Sequence, residues 1–490
     1  MVRRSSEATP NTTMCNLRES RAESQADVAE SLNTLARHAG KNVEVTAHQI
    51  SRWERGVTKP THIYRRLLGE HYGVSVDQLG FADLRPEPAR MTAATAAFAQ
   101  VTTQTATEAP VVAASQTQWR ATRTLLNARR VPLARAVADL YDDAHYAGTG
   151  MLTRPEWLPD QPMPLEWIGV TTATAEAPTF TGAEAVTEHV RPFSAPERRH
   201  GRYSQAIRHL NNPRLFENRL SWRLADVSWN DVGGKLAFDQ MTYFDLVDTG
   251  EAIAHEAAAR YLTPAGDIRP VSWRGLGARK QLGDPFDTAR RAVALAVDTL
   301  TIRLDRDGAT FVLHQRDSGN VAVAGGMMHV MPCGIFQPAS VHPASLVQDF
   351  NLWRNIQREY SEEFLGNPEH DGTGQPVDYD SAPFSDMQAA VDAGRLRTYC
   401  LGVGMDALTL AGEALTVAVW DADVYDRLFA HMVDHNDEGT VVKTGSARPT
   451  SAIPFTGHMV DELCDGGRLA PAGAGLLRLA WQHRHALLGR

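Results

Sequence analysis

Apolar positions recur at helical spacing from residue 14 to residue 81, between charged faces, so this stretch reads as several short amphipathic helices. From Pro86 to about Gln118 that pattern fades. The segment is rich in Ala and Thr with few large apolar residues to bury; it reads as a linker, although Ala-rich sequence can also be helical. Helical spacing returns over 119–146, where Leu125, Leu126, Leu133, Val137 and Leu140 form a stripe. Residues 147–200 are rich in Pro and Gly and read as irregular. Beyond them, strands are expected at 220–227, 235–245, 299–304, 310–315 and 415–420. Helices are expected at 252–261, 287–296, 349–365 and 472–488. No internal repeat is visible, and the C-terminal part reads as mixed α/β or α+β.

A length of 490 residues accommodates roughly two to four domains, and a hydrophobic content of 43% provides for a large core. The net charge of −9 argues against a surface that coats nucleic acid throughout, yet leaves room for one small basic face. Cys15, Cys333, Cys400 and Cys464 stand far apart. Their spacing suggests neither a zinc knuckle nor a disulfide framework, so free thiols in a reducing cytoplasm are expected. No apolar run nears the roughly 20 residues that span a bilayer, and 5–13 is too polar for a signal peptide. No membrane partner is expected.

Two helix starts carry the first chemical signal. Ser24 is a good N-cap, with Asp27 at the third helical position. Thr46 caps a second helix and Gln49 closes a capping box. Gly56 suits a left-handed C-terminal cap, and Pro60 keeps the helix from resuming. Leu17-Arg18-x-x-Arg21, Ser24-Gln25, Ala29, Ile50-Ser51-x-Trp53-Glu54-x-Gly56, Pro60 and the ending Tyr72-Gly73-Val74-Ser75-Val76-Asp77-Gln78-Leu79-Gly80 complete the pattern. Together they resemble the Xre/Cro/C1-type helix-turn-helix family over about a seventh of the chain.

The resemblance implies an all-α domain over 14–81 whose second motif helix enters the major groove of double-stranded DNA. Ala47, His48 and Arg52 would face base edges, Gln25 a phosphate, and Arg55 and Lys59 the DNA backbone. Such proteins read paired half-sites as homodimers. About eleven extra residues within 33–45 separate the two helices compared with the usual tight turn, where Arg37 and Lys41 would add contacts. Residues 14–81 are close to neutral, with nine Lys and Arg against eight Asp and Glu. Between Thr46 and Arg66, however, five basic residues face one carboxylate, Glu54.

The second signal is Asn351-Leu352-Trp353-Arg354-Asn355-Ile356-Gln357-Arg358-Glu359-Tyr360-Ser361-Glu362-Glu363-Phe364-Leu365-Gly366. Leu352, Ile356, Tyr360 and Phe364 make a buried stripe, while Glu359, Glu362 and Glu363 share one arc of the helix. Carboxylates that close repel unless a cation sits among them, and such oxygen ligands suit Mg²⁺ or Mn²⁺ with a phosphate. Arg358-Glu359-Tyr360-Ser361-Glu362-Glu363 resembles the core of the Nudix box, and Pro332-Cys333-Gly334-Ile335-Phe336-Gln337-Pro338 resembles the Gly-containing loop before it. By that resemblance, Glu359, Glu362 and Glu363 would hold metal, Glu362 and Glu363 would serve catalysis, Arg358 would orient a glutamate, and Gly334 would shape the loop. The frame departs from the box: Phe350 stands where its first Glu belongs, Ala344 where its Gly belongs, Asp349 is one position off, and Gly366 comes one residue late. Residues 339–347 read as an insertion.

The expected fold is therefore multidomain. An all-α helix-turn-helix domain (14–81) is followed by a linker (82–118), a helical and α/β middle region (119–297) and a Nudix-like α/β/α sandwich (298–490). The expected function is a DNA-binding transcriptional regulator that senses a nucleotide-type small molecule. The alternative is a Mg-dependent pyrophosphohydrolase acting on nucleoside-diphosphate derivatives, with an accessory DNA-binding domain; a protein-binding module and a solvated charged helix face are the plainer readings. His255 reads as a core residue, His458 and Glu462 as a surface pair, and Gly325-Gly326 and Gly402-x-Gly404 as too short for phosphate loops.

Overall fold

In the computed structural model the chain forms two compact units, Met1–Ala99 and Gln100–Arg490. The structure describes residues 11–21, 23–38, 45–56, 58–72, 74, 79, 94–213, 216–316, 327–368, 374–430, 432, 439–442 and 452–489. Lys41, 82–93, Gly325 and Gly326, on which some expectations fell, lie outside them.

The described elements of the first unit include helices α1 (Thr12–Ser20), α2 (Gln25–His38), α3 (Ala47–Glu54) and α4 (His62–Tyr72). Their apolar stripes meet in one core around Met14, Val28, Leu32, Ile50, Trp53 and Leu68. The local signals behave as read. The Ser24 amide donates to Asp27 Oδ2 (2.7 Å) and the Asp27 amide to Ser24 Oγ (3.2 Å), which holds the Asp27 carboxyl below its usual range. The Thr46–Gln49 capping box starts α3, and Gly56 takes the left-handed conformation (φ 71°) just past its end.

Ala94–Ala128 is one helix, running through much of the Ala/Thr-rich stretch, as the helix propensity of Ala allows. In the second unit the main sheet has nine described strands. Its continuous path is His145–Tyr146, Met151–Leu152, Leu396–Asp406, Gly412–Asp421, Leu295–Leu304, Ala309–Phe311 and Ile453–Pro454. Met163–Pro164 adds to Leu396–Asp406, and Cys333–Ile335 to Leu295–Leu304. The central pair, Leu295–Leu304 with Gly412–Asp421, is parallel. Side chains alternate across the sheet: Leu415, Val417 and Val419 join the core of helix Pro471–Gln482, while Ala414, Ala418 and Trp420 join that of helix Leu352–Glu359. Two three-stranded sheets flank it, Ile168–Thr172/Gly233–Thr242/Leu220–Asn230 and Met328–Val330/Leu313–Arg316/Gly439–Val442.

This corrects the expected fold class. The chain is mixed α/β with a curled, half-barrel-like main sheet, and no distinct all-α helix-turn-helix domain is shown. Helices α2 and α3 are separated by residues 39–46 instead of a tight turn, with 39–44 outside the described residues. Nor does a sandwich begin at 298: the sheet draws strands from 145–164, which pair with Leu396–Asp406 at Met405↔Leu152 and Cys400↔Met163. Such pairings join residues some 250 apart in sequence and leave no local signal.

Individual elements also differ. The helix expected at 287–296 is a run of turns leading into Leu295–Leu304, because a short apolar run fits either period and the parallel partner decides it. The strand expected at 310–315 is split at Val312, with Phe311 pairing to Ile302 and Leu313 to Val330 in another sheet. The strand expected at 235–245 ends at Thr242, where a capping box with Asp245 starts a helix.

Candidate functional site

Of the residues expected to contact DNA, Ala47, His48 and Arg52 lie on α3, Arg55 and Lys59 lie just beyond it, and Gln25 opens α2. His48, Arg55 and Lys59 are exposed, and Ala47 and Arg52 are half-buried. Glu54, at the end of α3, turns inward and is 6% exposed. Arg18 Nε donates to its Oε1 and Gln25 Nε2 to its Oε2, both at 2.7 Å. Gln25 thus holds Glu54 within the chain, and the hydrogen bond to Glu54 raises the Arg18 pKa.

In the second unit, Leu352–Glu359 is an α-helix capped by Asn351, whose side chain accepts from the Arg354 amide (3.0 Å). It continues as a π-helical turn, Tyr360–Phe364. A π turn closes i→i+5 bonds and takes in one extra residue. Leu352, Ile356, Tyr360 and Phe364 are buried as the stripe required. Tyr360 anchors the turn to the sheet through Thr301 Oγ1 (2.7 Å) and Trp420 Nε1 (3.0 Å).

The carboxylates meet the strand Cys333–Ile335. The Cys333 amide donates to Glu363 Oε1 at 3.2 Å, and Glu363 is buried. The Glu359 carboxylate lies over Gly334, where a Cβ would come within 2.1 Å of its Oε1. A side chain at position 334 would therefore exclude this approach. Glu362 is half-buried in the same π turn. Glu359 and Glu363 thus both approach the strand Cys333–Ile335, while among the described residues the three helix carboxylates do not form a cluster of metal-ligand spacing.

The acid that Arg358 holds is Asp349. Their charged groups lie 3.5 Å apart, and Asp349 has no exposed surface. Tyr379 joins both, accepting from Arg358 Nη1 (2.8 Å) and donating to Asp349 Oδ1 (2.7 Å). Burial opposes the charge on Arg358, but Tyr379 and Asp349 outweigh it and its pKa is raised. The segment read as an insertion contains helix Pro343–Gln348, which returns Asp349 so that its Oδ2 accepts from the Ala339 amide (2.9 Å). Phe350 packs against Trp222, Phe238 and Phe336.

Sequence reasoning missed a set beside the carboxylates: Asp298, His329 and Cys333 are buried, with ligand atoms all within 4.8 Å of one another. They are 4 to 35 residues apart, and only strand pairing brings Asp298 opposite Cys333. The lesser expectations stand as follows. His255 is buried against Tyr203 Oη (2.9 Å), and His458–Glu462 is an exposed pair at 3.8 Å. Among the described residues, no helix is long and apolar enough to cross a membrane. No protein-family model and no curated protein matches the chain.

Proposed function

We propose that this chain is a cytoplasmic DNA-binding transcriptional regulator that responds to a phosphorylated, nucleotide-type metabolite. The observation that carries this reading is the burial of Glu54. The only carboxylate between Thr46 and Arg66 is withdrawn against Arg18 and Gln25, so Arg52, Arg55, Lys59 and His48 set the outward potential of α3. A compact cationic face on a capped helix suits phosphate contacts and guanine edges. A homodimer reading paired half-sites follows from this mode of binding.

The sensing half rests on Glu359 and Glu363 converging on Cys333–Gly334. With Glu362 they would hold Mg²⁺ or Mn²⁺, which supplies charge neutralisation for the phosphates of a bound nucleotide. Gly334 keeps the approach to Glu359 open, and Tyr360 locks the helix to the sheet. A ligand with different affinities for two conformations would then shift DNA affinity.

The buried Arg358–Asp349 pair favours a second reading, a metal-dependent pyrophosphohydrolase, because it ties the carboxylate helix to the loop before it, and catalytic groups need such support. One experiment separates the two. Phosphate release from nucleoside-diphosphate derivatives with Mg²⁺ or Mn²⁺ is measured for wild type and for a Glu362→Gln, Glu363→Gln double variant. Thermal shifts and gel shifts against genomic fragments are run in parallel. Stabilisation by a nucleotide without turnover, with retarded DNA, supports the regulator. Metal-dependent turnover lost in the variant makes the chain an enzyme and overturns the sensor.

A further inference from the structure

We propose that Asp298, His329 and Cys333 form a binding site for a zinc-class divalent ion, distinct from the carboxylates of the helix. Asp298 and Cys333 are direct cross-strand partners in the ladder between Leu295–Leu304 and Cys333–Ile335, so their side chains rise from the same face. His329 arrives from the neighbouring strand Met328–Val330, four residues before Cys333. All three are buried, at 1%, 6% and 2% exposure.

Two details point to an ion. His329 Nδ1 lies 3.2 Å from the Val330 carbonyl, which can only accept, so the ring proton is assigned there. Its Nε2 faces Asp298 Oδ1 at 3.7 Å, close to the separation of two ligands on one ion. A backbone carbonyl on the other ring nitrogen is how metal-bound histidines are oriented. Tetrahedral zinc, with bonds of about 2.0–2.3 Å, separates its ligands by roughly 3.3–3.6 Å. Second, Asp298 Oδ2 is buried and accepts no hydrogen bond among the described residues, an expense that a metal bond removes.

The donor set of carboxylate, imidazole and thiolate selects zinc over magnesium, which prefers oxygen alone. Binding replaces the Cys333 S–H bond by an S–metal bond and releases that proton to solvent. Three protein ligands leave a fourth position for water. Since the Cys333 amide also donates to Glu363, the ion would brace the strand against which the carboxylates are set.

The test is Co²⁺ titration of the full, reduced, metal-stripped chain, read by absorption, followed by displacement with Zn²⁺. A thiolate-to-cobalt charge-transfer band that saturates at one equivalent, is removed by Zn²⁺ and survives excess Mg²⁺ is expected. Cys333→Ser should abolish the band, and His329→Ala or Asp298→Asn should weaken affinity about 10-fold or more. Cys464→Ser should keep it. No such band in the wild type, which needs no variant to fold, overturns the site and leaves a buried His329–Asp298 ion pair. A band that persists in Cys333→Ser, or is displaced by Mg²⁺, overturns it equally.

Discussion

The guanidinium of Arg358 lies 3.5 Å from the carboxylate of Asp349, and both are sealed from solvent. The pair joins the carboxylate helix to the loop before it, and Tyr379, Gln337 and Asn355 complete its hydrogen bonds. Breaking a buried pair from one side strands the other charge. Arg358→Ala is expected to cost about 3–5 kcal/mol, read from urea unfolding midpoints. Asp349→Asn, which keeps the shape and the Tyr379 contact, should cost less. Equal and negligible losses would remove the pair from the scaffold.

Gly334→Ala tests the approach of Glu359 to the strand. The new methyl group would collide with the Glu359 carboxylate, which has to shift to admit it. The expected stability loss is about 1–3 kcal/mol, while nucleotide-induced thermal stabilisation is lost. Retained stabilisation would separate Glu359 from the ligand.

On α3, Arg52→Ala should relax sequence preference in a gel shift, at about 1–3 kcal/mol for the affected base. Lys59→Ala should instead weaken all fragments alike and reduce the salt slope by about one. Binding untouched in Arg52→Ala would move the reading face off this helix.

Stability should fall on acidification, and His255 is one cause. Burial, with Arg123 nearby, pushes its pKa down to about 3, against Glu251, which raises it, while His189 adds to the lowering. Tyr203 Oη bonds its Nδ1 and Trp119 stacks on the ring. The folded state keeps the ring neutral where the unfolded chain takes up a proton, so the unfolded state binds more protons between about pH 6.5 and 3. The contribution is full above about pH 6.5 and declines below it by up to about 1.4 kcal/mol per pH unit. Glu251 adds to the same limb lower down: burial raises its pKa, but Arg130 and Arg123 outweigh it and hold it low. Unfolding midpoints of His255→Gln across this range should show a shallower acid limb; an unchanged slope would count against a neutral buried ring.

Short-range signals were legible in the sequence. Ser24 with Asp27, Thr46 with Gln49, Gly56, and the stripe Leu352–Ile356–Tyr360–Phe364 depend on neighbours within a turn or two, and the chain realises each of them. Tertiary structure alone decided the rest. Whether 287–296 became helix or strand depended on a parallel partner more than a hundred residues away. Val312 divides one apolar run between two sheets because each half found a different neighbour. Asp349 meets Arg358 because a short helix brings it back to the carboxylate helix. Asp298, His329 and Cys333 converge only through the register of a ladder. Periodicity and capping are written in the local backbone, whereas pairing partners and register are set by which distant surfaces bury one another, and one sequence read alone carries no record of that choice.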